Sequence, residues 1–362
     1  MKILMGIGHP ADVHFFKILT KEFKFHGHKV IVTAREKEFT CYLLDKFHIK
    51  YHKISKHRGK ISRKIIEYFV RWIRTYKICK NVIPDIAIGV GDLYLPQIGK
   101  ILGFPTIVFT DTESVWHDPV LTFPFASYVL TPSCFKKRVR AKQIKIKSYK
   151  ESAYLNDKYF KPNPDIYSIM KLKPNEKFIT MRFTSQAAMH NIGQRQLSIQ
   201  SKIKAVQECS KFAKVAISSE IPLPESLKPY AISIPPEKIH DALYYSELLY
   251  GDSSTMSSEC AFLGTPSIFV DDVGRGYTDE QQEKYGLVFN YPASREGQEQ
   301  SIKKGVDLLF QNKDKSEWIE KRNAMIAEQI DLTAFLVWFV ENYPHSALKM
   351  QENPEYQYRF VN

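Results

Sequence analysis

Residues 248–270 narrow the folds open to this 362-residue chain more than any other stretch. Leu248, Leu249 and Tyr250 form a short apolar run, followed by the small polar residues from Asp252 to Thr255. A helix-like segment then carries Glu259, Ala261, Phe262 and Leu263. Gly264-Thr265-Pro266 ends it, and Ser267 to Val270 is apolar again. The pattern predicts a strand, a tight turn, a helix and the next parallel strand. The first turn of such a helix has free N–H groups and a partial positive charge. Ser253, Ser254 and Thr255 add hydroxyl donors there and, with Met256, leave room for a phosphate. Glu259 lies one to two turns in, where a carboxylate reaches ribose hydroxyls beside a bound pyrophosphate. An ordinary helix capped by Ser253 or Ser254 fits the same residues. The turn alone does not choose between the two readings.

The start of the chain repeats the theme. Lys2 to Ile7 reads as a strand, Gly8-His9-Pro10-Ala11-Asp12-Val13-His14 as the turn into a helix, and Lys29 to Thr33 as the next strand. Asp85 to Val90, Thr106 to Phe109 and Tyr128 to Thr131 are further buried strands, with a helix over Leu95 to Leu102. This alternation implies an α/β fold with parallel sheets. Sites in such folds lie at the carboxyl ends of strands. Gly8, His9, Asp12 and His14 stand at one such end, and Asp111 and Glu113 at another.

The second half opens on a strand from Phe178 to Arg182. Arg182 at its end suits a phosphate, since a guanidinium binds two oxygens at once, or else forms a plain ion pair. Val215 to Ser218 is the next strand, with Ser219 and Glu220 at its tip. Ser316 to Phe339 reads as largely helical. Prolines 162, 164 and 174 mark a linker near Tyr159 to Pro174. We therefore expect domains at 1–165 and 166–335, with a C-terminal segment 336–362.

Charge divides along the chain. Residues 1–165 hold 30 Lys and Arg against 14 Asp and Glu, and residues 166–362 hold 22 against 25. Lys53 to Lys80 and Lys136 to Lys150 concentrate the basic excess. Between Arg63 and Lys80, Ile65, Ile66, Phe69, Trp72, Ile73 and Tyr76 recur at helical spacing. They describe either an amphipathic helix over its own core or one that also meets an anionic membrane. No nucleic-acid reader module is visible, and no nucleic acid is expected as a partner. Ala334 to Val340 is too short to span a bilayer, which needs about 20 residues. Met1 to Pro10 has no long apolar run, which argues against a leader. Five unpaired-looking cysteines read as reduced thiols, hence a cytoplasmic protein. The dehydrogenase pattern Gly-x-Gly-x-x-Gly is absent, which argues against a nicotinamide cofactor. No Cys/His cluster has zinc spacing, and Asp271-Asp272 is a bare pair, so no metal is expected.

The turn at Ser253 resembles the nucleotide site of GT-B glycosyltransferases and of UDP-N-acetylglucosamine 2-epimerases. There a Ser/Gly/Thr turn holds the donor pyrophosphate, a Glu six residues on holds the ribose, and Gly-x-Pro ends the helix. Ser253, Glu259 and Gly264-Thr265-Pro266 match that spacing. Gln281 and Gln282 follow where several such transferases touch the donor sugar. His240, in Ile234 to Asp241, lies where these proteins sandwich the base; capping the helix that follows is its other reading. His-Pro-Ala-x-Val-His-Phe-Phe-Lys at the start, Thr33-Ala34-Arg35-Glu36, Tyr149-Lys150-Glu151, Tyr154-Leu155 and Gly251-Asp-Ser-x-Thr-Met together resemble the domain of unknown function 354 family, which is GT-B-like. One departure is Asp12, where His is expected in that family.

The resemblance implies a GT-B fold, two Rossmann-like domains with parallel sheets facing a central cleft and a last helix returning to the first domain. It also implies a glycosyltransferase that takes a nucleotide-diphospho-sugar as substrate. No cofactor is then needed, because a helix N-terminus and basic side chains stabilise the leaving pyrophosphate. A first-domain base deprotonates the acceptor hydroxyl, and His14, then Glu113, then Asp12 are the candidates. The acceptor is expected to be a lipid-linked or surface glycan at the inner face of the membrane. The alternative is a sugar-nucleotide 2-epimerase, whose Gly-Thr-Arg-Pro-Glu and His-Arg-x-Glu-Asn motifs are absent here. A non-catalytic sugar-nucleotide-binding protein is the third class.

Overall fold

A computed structural model describes residues 1–56, 61–115, 117–139, 142–185, 195–311 and 313–361, with backbone alone for 61–65. The side chains of Arg63, Lys64 and Ile65 therefore lie outside the described residues. The chain forms two compact units, residues 1–159 with 329–362, and residues 160–328.

The first unit runs β1 (Lys2–Ile7), α1 (Pro10–Phe25), β2 (Lys29–Glu36), α2 (Thr40–Lys46), β3 (His52–Lys56), α3 (Ile61–Val82), β4 (Ile86–Val90), α4 (Leu95–Leu102), β5 (Thr106–Phe109), α5 (Asp118–Leu121), β6 (Tyr128–Pro132), β7 (Gln143–Ile146) and α6 (Ser152–Leu155). Its seven strands pair in parallel in the order β3-β2-β1-β4-β5-β6-β7. The inner strands are nearly continuous apolar runs because helices cover both faces. The order reverses between β1 and β4, the position at whose carboxyl edge open α/β sheets take a ligand.

β3 and β7 are strands that the sequence pattern does not announce. Both are edge strands inside the two basic segments. Ile144 and Ile146 of β7 are buried while Lys145 points out, and charge on an edge strand blocks pairing with other chains.

α3 corrects the expected apolar stripe. Tyr68, Trp72 and Tyr76, at four-residue spacing, pack on the core formed by Leu4, Ile31, Cys79, Ala87 and Ile98. Trp72 and Tyr76 stack with ring centroids 5.3 Å apart. Ile66, Phe69 and Ile73 are instead exposed. The helix must cover the sheet between β3 and β4, and only one face can do so.

The second unit runs α7 (Ile166–Ile169), β8 (Phe178–Phe183), α8 (Ile199–Cys209), β9 (Lys214–Ser219), α9 (Ile239–Tyr245), β10 (Leu249–Gly251), α10 (Ser254–Leu263), β11 (Ser267–Val270), α11 (Gly276–Glu283), β12 (Val288–Tyr291), α12 (Arg295–Gln311) and α13 (Lys315–Ala327). Its five strands are parallel in the order β12-β11-β10-β8-β9, reversing between β8 and β10. Ile166, Met170, Phe178, Ala216 and Ala242 form one of its apolar clusters.

The chain rejoins the first unit at Gln329, and α14 (Leu332–Glu341) and α15 (His345–Glu352) complete it. Side chains anchor both crossings. Asn163 donates its backbone N–H to Asp241 at 2.9 Å, tying the residues before 166 to the second unit. Ser148 and Ser152 donate to the Ile330 carbonyl at 3.0 and 3.3 Å. Asp331 accepts from Lys158 at 3.0 Å and Tyr159 at 2.7 Å. The residues before 336 thus already belong to the first unit.

Candidate functional site

In the second unit, polar side chains gather at the carboxyl ends of β8 and β10, where the strand order reverses. Gly251 ends β10 so close to β8 that a Cβ on it would lie 2.0 Å from the Arg182 carbonyl oxygen. That contact requires glycine. Ser253 is the N-cap of α10 and accepts from the Met256 N–H at 3.4 Å, so the ordinary capping role is real. Ser254 and Thr255 supply the orphan N–H groups of the first turn; both are half-buried, and no partner for those groups is seen among the described residues. Met256 is buried behind them.

Asp252 lies beside this turn and is 6% exposed. One carboxylate oxygen accepts from the Thr184 N–H at 2.7 Å; the other is buried with no partner. Burial pushes its pKa up to about 6, against the lowering effects of the Thr184 N–H and of Lys202. Lys202, on α8, is itself buried over the Phe183 ring, and its pKa is lowered by that burial. Asp252 stands inside the Gly251-Asp-Ser-x-Thr-Met motif, yet its spacing gives no sign that it is a buried acid. Lys202 carries no sequence signal, because only folding brings α8 to this edge.

Arg182 donates to Ser218 Oγ at 2.8 Å and forms an ion pair with Glu220. Glu220 also accepts from the Ser185 N–H at 3.1 Å. Ser219 closes a local turn by accepting from the Ile221 N–H at 3.2 Å. Arg182 is thus an ion-paired residue at the site's edge.

Glu259 and His240 meet in the interior, Oε1 to Nε2 at 2.9 Å, with side chains 5% and 3% exposed. His240 sits inside α9, whose N-cap position is Lys238, so it does not cap that helix. Gln281 donates to Ser258 Oγ at 2.8 Å and is fully buried. Gln282 accepts from the Asn290 N–H. These two glutamines bind α11 to α10 and β12. Asp271 pairs with Arg275 at 3.6 Å and Asp272 with Arg195 at 2.9 Å. Among the described residues, no three His, Cys, Asp or Glu side chains gather as a metal site.

In the first unit, Asp12 is the third residue of α1 and reaches back to the Gly8 and His9 N–H groups at 3.0 and 2.9 Å. His9 is the N-cap and accepts from the Ala11 N–H at 3.3 Å. This reciprocal cap fixes the turn after β1. Burial raises the Asp12 pKa to about 6, although nearby Lys150 and both N–H groups pull it down. Asp111 pairs with Lys150 at 3.1 Å, both buried. His14 corrects the expectation of a loop residue. It lies within α1, 4% exposed, with the rings of Phe47 and Tyr154 5.7 and 5.8 Å away. Pro10 and the His9 cap start the helix before it.

Glu113 is more open. It accepts from the Lys136 N–H at 3.2 Å and lines a cavity of ≈ 930 Å³ with Thr112, Phe123, Phe135, Lys137 and Arg138.

Two parallel sheets, each with its polar site at the reversal point, define a GT-B fold, shared by sugar-nucleotide epimerases and glycosyltransferases. The chain belongs to the family described as a protein of unknown function (DUF354), which matches residues 1–274. An uncharacterized protein of Methanocaldococcus jannaschii is 24% identical over 281 residues, 74% of this chain and 81% of that protein. Among solved structures, the UDP-GlcNAc 2-epimerase of the same organism, in complex with UDP-GlcNAc and UDP, matches with a TM-score of 0.64 at 12% identity. The match covers 87% of this chain and 94% of that one. The spinosyn rhamnosyltransferase SpnG, complexed with spinosyn aglycone, matches with a TM-score of 0.60 at 11% identity, covering 94% and 100%.

Proposed function

We propose that this protein is a GT-B glycosyltransferase that takes its sugar from a nucleoside-diphospho-sugar held by the second unit. The observation that carries this is the α10 turn: Ser254 and Thr255 N–H groups and hydroxyls at the reversal point of the sheet. A diphosphate there gains hydrogen bonds and the favourable end of the helix dipole. In this reading those donors, without a metal, receive the charge that develops on the leaving diphosphate. The Glu259–His240 pair stiffens the helix that carries them.

The acceptor belongs to the first unit, in the cavity lined by Glu113. Phe123 and Phe135 make it apolar, while Lys137 and Arg138 favour an anionic acceptor, as a lipid-linked glycan would be. Of the three candidate bases, Glu113 lines the cavity of ≈ 930 Å³ described above. His14 is enclosed by two rings, and Asp12 spends an oxygen on two N–H groups. We therefore assign the base to Glu113.

The second reading is a sugar-nucleotide 2-epimerase, favoured by the likeness to the epimerase that binds UDP-GlcNAc and UDP. One experiment separates the two. The protein is incubated with a panel of nucleoside-diphospho-sugars, with and without a lipid extract as acceptor. Release of nucleoside diphosphate only when acceptor is present supports transfer; a new epimer from donor alone supports epimerisation. Glu113→Gln should lower transfer by about 10²-fold or more and leave donor affinity unchanged. Near-normal turnover in that variant removes Glu113 as the base.

A further inference from the structure

Glu67 and Arg71 stand one turn apart on α3. Glu67 is buried and takes the side edge of Arg35, Nε to Oε1 at 2.7 Å and Nη2 to Oε2 at 3.1 Å. It also accepts from Ser55 Oγ at 3.1 Å. Arg35 thus uses its Nε–Nη2 edge in the way a guanidinium binds a carboxylate.

Among the described residues, Arg71 presents the same edge to no carboxylate. Its Nε is buried with no hydrogen-bond partner, and no ion pair of its guanidinium is seen among the described residues. The guanidinium lies over the Tyr94 ring, 4.3 Å from the centroid. Its Nη2 stands 3.9 Å from where a Cβ on Gly8 would be. Gly8 follows β1 and Tyr94 follows β4, so Arg71 sits at the reversal point of the first sheet. The carboxylates around it are engaged, including Asp12, whose Oδ2 stands 3.7 Å from the same Gly8 position and accepts from the Gly8 and His9 N–H groups. Glu67 holds Arg35, and Asp92 accepts from the Tyr94 and Leu95 N–H groups at 2.8 and 2.9 Å. Burial pulls the Arg71 pKa down, and Arg35 adds to that pull, yet a guanidinium stays charged. The guanidinium is half-buried, held over the Tyr94 ring, and its buried Nε has a free donor for an anion from outside the chain.

We propose that the first unit binds an oxyanion of its ligand, a phosphate or a carboxylate, on the Nε–Nη2 edge of Arg71, above Gly8 and beside Tyr94. Assigning that group to the acceptor rests on the glycosyltransferase reading; the oxyanion site itself does not.

The test is thermal unfolding of the full chain and of Arg71→Met and Arg71→Lys, at constant ionic strength. Inorganic phosphate, farnesyl phosphate and glucuronate are the probes, with UDP as a separate arm. Wild-type Tm should rise by about 2–4 °C with at least one of the three oxyanion probes near saturation. Arg71→Met should lose that rise and keep any UDP-dependent rise. Arg71→Lys should lose at least half of the rise, because a point charge lacks the fork; it carries the test if Arg71→Met does not fold. A larger effect of farnesyl phosphate than of inorganic phosphate assigns the group to a lipid phosphate, and a larger effect of glucuronate assigns it to a sugar acid. An equal oxyanion-dependent rise in wild type and both variants overturns the proposal, as does no rise with any of the three probes. If UDP alone gives no rise while the Arg71-dependent rise persists, the donor reading fails and this site stands.

Discussion

Asp252 shows how one residue couples the site to stability. Its carboxylate is buried, one oxygen taking the Thr184 N–H and the other without a partner. A pKa raised from 3.8 to about 6 means that the folded state favours the protonated acid. Between those values the folded protein holds a proton that the unfolded chain has released. Its contribution to stability therefore falls as pH rises through about 4 to 6, and the whole penalty is present above 6. A shift of this size corresponds to about 3 kcal/mol at most. Asp252→Asn keeps the acceptor for the Thr184 N–H and removes the charge. We expect the variant to match wild type near pH 4 and to exceed it at pH 7.5, measured by urea unfolding across pH. A stability difference that does not change with pH would show that the acid titrates normally. Glu259 and His240 teach a related point. Their residue types were legible as site candidates, but their mutual pairing was not, since 19 positions separate them in the chain.

Among the elements, α10 with its flanking strands was the most legible, because its period, caps and turn all agree. Gly264 closes the helix at φ 66°, where a β-carbon is strained. Gly251 is there for another reason, the contact with the Arg182 carbonyl. Gly251→Ala should force β8 and β10 apart and destabilise by about 3 kcal/mol or more. Chemical unfolding would show this, and an alanine variant of wild-type stability would mean that the seam is looser than the structure indicates. α3 was legible as a helix but not in its orientation. Its aromatic and basic residues all carried helical spacing, and only packing decided that Trp72 and Tyr76 turn inward. The same rotation brings Arg71 to Gly8 and lets Arg74 donate to the Ile54 carbonyl at 3.1 Å.

For the whole molecule, charge separates by unit. Residues 1–159 with 329–362 hold 31 Lys and Arg against 17 Asp and Glu, while 160–328 hold 21 against 22. No helix among the described residues is long and apolar enough to cross a membrane. Ile66, Phe69 and Ile73 form an exposed apolar stripe on α3, near the exposed Lys77 and Lys80. We propose that this stripe enters the headgroup region of an anionic membrane. The protein should then co-sediment with anionic vesicles better than with neutral ones at low salt, and lose that preference as salt rises. Phe69→Glu should release it. Equal sedimentation with both vesicle types would end the membrane proposal. The sequence by itself determined the parallel two-sheet architecture, the α10 turn and the charge division, because periodicity, turn chemistry and composition are local properties. The tertiary structure alone decided which face of α3 is buried, that Glu259 meets His240, that Lys202 stands near Asp252, and that Arg71 reaches the end of β1. Each of those contacts joins segments distant in the chain or depends on how a helix rotates against its sheet, and no local pattern encodes that choice.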